Sequence, residues 1–163
     1  MLCREIDSPI GALLLVGDDS ALQRIDFVYG RRGSMKPPSP PRDDVFDDVV
    51  AQLTEYFEGR RRTFDLSLAP HGTPFQQRVW RALLDIPYGQ TMSYGELAAR
   101  IGQPTASRAV GLANGSNPIP IVIPCHRVIG ANGKLTGYGG GLPIKQRLLA
   151  LEQGSGRLEF GSV

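Results

Sequence analysis

The sequence predicts an α+β chain in two parts, a small βββαβ unit followed by a mostly helical half. Three observations carry this. The first 68 residues hold four short strand patterns around a single helical one. At Pro70-His71-Gly72 the composition changes. Two capping boxes then open helical patterns, which dominate the remainder. The division falls between residues 1–70, read as a scaffold domain, and residues 71–163, read as the domain that carries the chemistry.

In the first part, residues 2–7, 12–17 and 21–29 are strand candidates. They are joined by the turn compositions Ser8-Pro9-Ile10-Gly11 and Asp18-Asp19-Ser20. Residues 30–42 carry Pro37, Pro38, Pro40 and Pro41 among Gly, Ser and basic residues, and are expected to form an exposed, mobile loop. Val45, Phe46, Val49, Val50, Leu53, Tyr56 and Phe57 recur at helical spacing until Gly59 closes the helix, and residues 63–68 are expected as a further strand.

In the second part, Thr73-Pro74-Phe75-Gln76 is a capping box with proline at the first helical position. Its helix is striped by Phe75, Val79, Trp80, Leu83 and Leu84, with Trp80 expected in the core. Ser93-Tyr94-Gly95-Glu96 opens a short helix that ends at Gly102. Pro104 is expected in the first turn of the next helix, residues 105–113, before Asn114-Gly115. The pair makes a helix-turn-helix. Its second helix offers Ala106, Ser107, Ala109, Gly111 and Ala113 with Arg108 as its one arginine, too little for reading bases. Two readings fit: a helix that grasps DNA by shape and backbone, or one packed tightly in the core. Pro143 begins a last helix with Ile144, Leu148, Leu149 and Leu151, and the tail after Gly154 is expected to fray.

At 163 residues, with 41% hydrophobic and 21% charged side chains, the chain can bury an ordinary core. Its net charge of +2 conceals an asymmetry. Residues 1–70 hold nine Lys/Arg and twelve Asp/Glu, and residues 71–163 hold nine and four. The basic second half suits a polyanion. Cys3, Cys125, His71 and His126 are the only soft ligands and lack metal-site spacing, so neither a metal nor a cofactor is expected. The apolar run at 12–16 is too short for a signal core or a membrane span. With free thiols this points to the cytoplasm.

The stretch Ile121-Val122-Ile123-Pro124-Cys125-His126-Arg127-Val128 delivers a thiol beside an imidazole at a strand end or tight turn. Cys125 is either a small buried hydrophobe or a nucleophile whose ionisation His126 and Arg127 influence. A DNA-grasping helix a few residues upstream favours chemistry on a base, which must leave the duplex to be reached. Arg108, Tyr94 and the Tyr138 loop are available as wedge, rotation aid and pocket.

Pro124-Cys125-His126-Arg127-Val128, Arg108-Ala109-Val110-Gly111 and Ser93-Tyr94-Gly95-Glu96-Leu97-Ala98 together resemble the methylated-DNA–protein-cysteine methyltransferase (O6-alkylguanine-DNA alkyltransferase) family over residues 73 to 152. The resemblance implies an RNase H-like N-terminal unit and a winged helix-turn-helix-like C-terminal domain. It implies that Cys125 takes the alkyl group from O6-methylguanine, and from O4-methylthymine, once per molecule and without a cofactor. His126 would take the thiol proton through a water, Glu152 would orient the imidazole, and Asn117 would tie the helix-turn-helix to the active-site turn. Tyr94, Gly95, Arg108, Ala109 and Gly111 would bind DNA and flip the base; Tyr138, Val128 and Gly139 would hold it. The implied partner is double-stranded DNA, gripped from the minor groove by a monomer able to bind cooperatively. Gly139 stands where some relatives have a serine. Cys3 and His71 are too few for the zinc site that others carry. A non-enzymatic alkyl-base-binding module would share the helix-turn-helix but lack the nucleophile.

Overall fold

The computed structural model describes residues 1–30, 33–34 and 36–154. Strands β1 (Leu2–Ile6), β2 (Leu13–Gly17) and β3 (Leu22–Phe27) form an antiparallel sheet in the order β1-β2-β3. The central strand is buried on both faces, as its unbroken apolar sequence requires. Leu13 and Leu15 face the main core, while Leu14 and Val16 join Cys3 and Val28 in a second cluster. The turn at Asp18 is an Asx type: its Oδ1 accepts the amide N–H groups of Ser20 and Ala21 at 2.8 and 3.0 Å.

The loop expected over residues 30–42 is described only in part. Strands β4 (Tyr29–Gly30) and β5 (Gly33–Ser34) pair within it, and residues 31, 32 and 35 fall outside the described residues. Its far end is tied to β1: the Arg42 amide donates to the Cys3 carbonyl at 2.9 Å, and the Ser39 hydroxyl donates to the Met1 carbonyl at 2.8 Å. Prolines fix φ and leave few hydrogen bonds to the segment itself, so docking on a strand edge supplies them. Helix α1 (Asp47–Phe57) packs Val49, Leu53, Tyr56 and Phe57 on the sheet and stops at Gly59, whose φ is +76°. The strand expected at 63–68 is reduced to one parallel bridge between Leu22 and Leu68. The Leu22 amide donates to Ser67 and its carbonyl accepts from Ala69.

In the second half, α2 (Pro74–Leu84) and α3 (Tyr94–Arg100) both begin with complete capping boxes, Thr73 with Gln76 and Ser93 with Glu96. Trp80 is buried and donates its indole N–H to the Ala113 carbonyl at 2.8 Å, pinning α2 to α4 (Ser107–Gly115). Pro104 sits in the turn before α4, outside its first turn. The helix starts at Ser107 behind an uncapped Ala106 and runs on through Asn114 and Gly115. Of the strand end or tight turn expected at Pro124, the structure has the turn, a 3-10 turn over Cys125–Arg127. From it β7 (Val128–Ile129) pairs in parallel with β6 (Met92–Ser93). Helix α5 (Leu142–Glu152) closes the fold; the tail expected to fray lies outside the described residues. One apolar cluster draws on both halves, from Leu13 and Leu53 to Val110, Ile119 and Leu151. No described helix is long and apolar enough to cross a membrane.

Candidate active site

Cys125 lines a cavity and is held there by the backbone before it. Asn117 donates from Nδ2 to the Ile123 carbonyl at 2.8 Å and accepts the Ile119 amide at 3.0 Å, clamping the turn that presents the thiol. Ile121 within that turn has φ +75°, a conformation that costs a β-branched residue on the order of 1–3 kcal/mol and persists where the surroundings impose it. Asn114, at the end of α4, donates to the Cys125 carbonyl at 3.4 Å, so the nucleophile's own backbone hangs on the helix-turn-helix. The thiol is 6% exposed. Burial pushes its pKa up to about 11, against the lowering effects of Asn117 and of the Lys145 ammonium. At rest it is a thiol.

His126 is fully buried, and its Nε2 lies 2.7 Å from Glu152 Oε2. Glu152 holds its proton only below about pH 2, because the hydrogen bonds and charges of His126 and Arg127 outweigh its burial. An ionised carboxylate only accepts, so Nε2 carries the ring proton and Nδ1 keeps a lone pair. Nδ1 is buried with no partner among the described residues, and burial keeps the ring neutral by lowering its pKa. The imidazole is therefore a base with its lone pair uncommitted.

Glu152 is more heavily used than the sequence suggested. Arg127 grips it with Nε at 2.7 Å and Nη2 at 3.0 Å, the Tyr56 hydroxyl donates at 2.6 Å, and the Gly89 amide donates at 3.3 Å. Arg127, expected to act on the thiol, points instead to Glu152 and to the Ile86 carbonyl at 2.7 Å. The cation that acts on the thiol is Lys145. It is fully buried on α5 and donates to the carbonyls of Val128 at 2.7 Å and Thr136 at 3.2 Å. Its signal was present in the sequence: Lys145, Leu148 and Glu152 recur at spacings of three and four, placing a lysine on the inward stripe. Tyr56 showed in the sequence only as part of the α1 stripe, and Asn114 only as a helix end.

The cavity in front of Cys125 measures about 780 Å³. Asn117, Tyr138, Gly139, Tyr94 and Gly111 line it with Cys125. Tyr138 is buried, its hydroxyl has no partner among the described residues, and its pKa is raised by burial, so it remains a donor. Val128 is fully buried, and its carbonyl accepts from Lys145. The Tyr94 hydroxyl bonds to that of Thr136, and its ring rests on Gly111, where an added Cβ would stand 3.7 Å from ring carbon. On α4, Arg108 and Ala109 face solvent with Leu112, which is 74% exposed, whereas Val110 and Ala113 are buried. The small-residue helix thus has one face in the core and one exposed. Gly95 sits near Ser107, 3.8 Å from a notional Cβ to its hydroxyl. No group of His, Cys, Asp and Glu among the described residues could hold a metal ion.

Residues 74–154 match the family model described as the DNA-binding domain of 6-O-methylguanine DNA methyltransferase, and residues 1–70 match its ribonuclease-like domain. A methylated-DNA–protein-cysteine methyltransferase of Methanosarcina acetivorans is 54% identical, covering 90% of this chain and 94% of its own. One from Mycobacterium tuberculosis H37Rv is 55% identical over 92% and 91%. A Mycobacterium tuberculosis OGT crystallised with DNA superposes with a TM-score of 0.90 at 52% identity, covering 96% of each chain. A buried thiol beside a carboxylate-anchored imidazole, under a helix-turn-helix, agrees with these likenesses: the chain belongs to the methylated-DNA–protein-cysteine methyltransferase family.

Proposed function

We propose that this protein repairs DNA by direct reversal, moving the alkyl group of O6-alkylguanine irreversibly onto Cys125. The observation that carries the reading is the uncommitted lone pair of His126 beside a thiol that is protonated at rest. A thiol of such high pKa attacks only if its proton leaves as the sulfur–carbon bond forms, and a neutral imidazole is the base for that step. The proton passes to His126 Nδ1 through a water, and Glu152 balances the charge on the ring. Lys145 favours the developing thiolate. The carbon–O6 bond breaks with its electron pair passing to the purine, where Tyr138 donates a hydrogen bond; backbone near Val128 and Gly139 completes the base pocket. O4-methylthymine, smaller but alike at the reacting carbon, is read as a second substrate.

Residues 1–70 are read as a scaffold domain and residues 71–163 as the DNA-binding and acceptor domain. A monomer acts in the cytoplasm and grips the minor groove with little sequence preference. Cooperative binding along DNA fits this mode. Arg108 and Ala109, exposed on α4, with Tyr94 and Gly95 at the start of α3 and Gly111 behind Tyr94, form the gripping surface. A non-enzymatic lesion-binding module would have no use for the relay behind Cys125.

The test is a mass spectrum after mixing with duplex DNA bearing O6-methylguanine. A gain of one methylene located at Cys125, at no more than one per chain, is expected. Multiple turnovers would remove the reading. Arg108→Ala should slow repair of duplex DNA by about tenfold or more while leaving reaction with the free base nearly unchanged, because a wedge is needed only where a gap must be held open. Equal losses on both substrates would take Arg108 out of that role.

A further inference from the structure

Glu152 is served from both halves of the chain. Arg127 fixes the plane of its carboxylate with one nitrogen on each oxygen, and the Gly89 amide adds to Oε1. Those donors belong to the second half, as does His126. Tyr56 does not. It lies on α1, 96 residues before its partner, and donates to Oε2, the same oxygen that receives the His126 Nε2 proton. The hydroxyl stands 2.6 Å from that oxygen and the ring nitrogen 2.7 Å. Tyr56 is fully buried, and Phe57, Phe64 and Tyr88 surround its ring with centroids 5.5–6.2 Å away. Burial and the charge of Glu152 hold its proton on well above the ordinary tyrosine range, so it is a donor at every working pH. A hydrogen bond to a carboxylate stabilises its charge and makes it a weaker acceptor for a second donor.

We propose that Tyr56 is a positioning residue of alkyl transfer that restrains the base: by sharing Oε2 it limits how strongly Glu152 draws on the His126 ring, and so how readily that ring takes the thiol proton. The proposal rests on the alkyl-transfer reading above. Because Arg127 holds both carboxylate oxygens, removing the hydroxyl leaves Oε2 in place with one fewer donor. The bond from Nε2–H to Oε2 then strengthens, and Nδ1 across the ring becomes the stronger base. The other charged groups facing the ring, Arg127 from its own turn and Lys145 from α5, are unaltered by a change at position 56. So are the titratable Cys125, Tyr88 and Tyr138 around the relay.

The experiment compares the wild type, Tyr56→Phe and a protein carrying 3-fluorotyrosine in place of Tyr56. Single-turnover transfer is measured with protein in excess and saturating over a duplex bearing O6-methylguanine. At about pH 8 the ring is neutral, since burial lowers it from an ordinary value of 6.5. The first-order constant there does not depend on how much of each preparation is folded. Tyr56→Phe should transfer about two- to threefold faster than the wild type, the gain that a modestly stronger base confers. The fluorinated ring makes the hydroxyl a stronger donor to Oε2, and that protein should be slower than the wild type. Proton NMR supplies the second reading. His71 is exposed and His126 fully buried, so the exchange-protected imidazole N–H belongs to His126. Its resonance should move downfield in Tyr56→Phe and upfield with fluorotyrosine. Should the phenylalanine variant fail to fold, the fluorotyrosine protein, which keeps the ring and the hydroxyl, decides by the same two readings. A Tyr56→Phe rate equal to or below the wild type overturns the proposal. So does a fluorotyrosine protein as fast as the wild type, or a resonance that stays in place. A wild type that transfers nothing would instead remove the alkyl-transfer reading beneath it.

Discussion

Cys125→Ser should abolish alkyl transfer and leave DNA binding intact. A site that already holds a thiol up to about pH 11 by burial would hold a serine hydroxyl, intrinsically a far weaker acid, protonated through the whole accessible range. His126 would then face a proton it cannot remove. The substitution nearly preserves volume, and Asn117 can bond the new hydroxyl, so the turn should keep its shape. The exposed face of α4 is untouched. Binding to methylated duplex at wild-type affinity, with no mass gain after prolonged incubation, is the expected pair of results. Transfer at even a tenth of the wild-type rate would mean that another group accepts the alkyl. In the wild type the alkylated side chain adds bulk to a packed turn and should destabilise the spent protein by about 1–3 kcal/mol, measurable as a lower melting temperature.

Glu152→Gln should cost both stability and rate. The carboxylate neutralises Arg127 in a site where both are buried. An amide leaves that guanidinium uncompensated, a loss of about 3–5 kcal/mol. The amide can also present a donor to His126 Nε2, favouring the tautomer whose Nδ1 is protonated and cannot act as base, so transfer should fall by at least about a hundredfold. The acid limb of the stability curve supplies a second check. Glu152 titrates at about 2 in the folded protein against an ordinary 4.5. Its contribution, on the order of 3 kcal/mol, is complete above pH 4.5 and disappears as the pH falls through 2. His126 acts in the same direction at higher pH: burial lowers its pKa, so below about 6.5 the unfolded chain takes up a proton that the native ring refuses. Denaturation midpoints of the wild type should therefore decline below pH 6.5 and again below 4.5, and the second decline should be smaller in Glu152→Gln, where Asp18 and Asp44 are still held below the usual carboxylate range. Parallel curves between pH 5 and 2 would detach Glu152 from acid stability.

Much of this was legible in the sequence because it is local. Both capping boxes, the turn at Asp18, the Gly59 stop and the stripe around Trp80 depend on residues within four positions of each other. The nucleophile and its imidazole are adjacent in the chain, and the family motifs around them are compact. What escaped was long-range or irregular. Residues 63–68 have strand composition but find only Leu22 to pair with, a matter of sheet geometry rather than propensity. Pro104 suits a first helical turn, yet the tight turn at 102–106 consumed it. Arg127 beside His126 invited an interaction with the thiol, but its guanidinium joins His126 on a carboxylate 25 residues away. Phe27 and Tyr56 looked like core aromatics of the first unit, and only the folded chain brings them to the second.

Tyr56 and Glu152 are separated by 96 residues, and their hydrogen bond closes buried at the centre of the relay. During synthesis, α1 is available long before α5 exists, and the thiol itself is made 27 positions before the carboxylate that completes its base. Joining such distant segments pays a large loop-closure entropy before any contact rewards it, which places the step late in folding. The nascent chain therefore carries its cysteine before the imidazole–carboxylate pair behind it is assembled. A protein that can react only once acquires its site-directed reactivity together with helix α5.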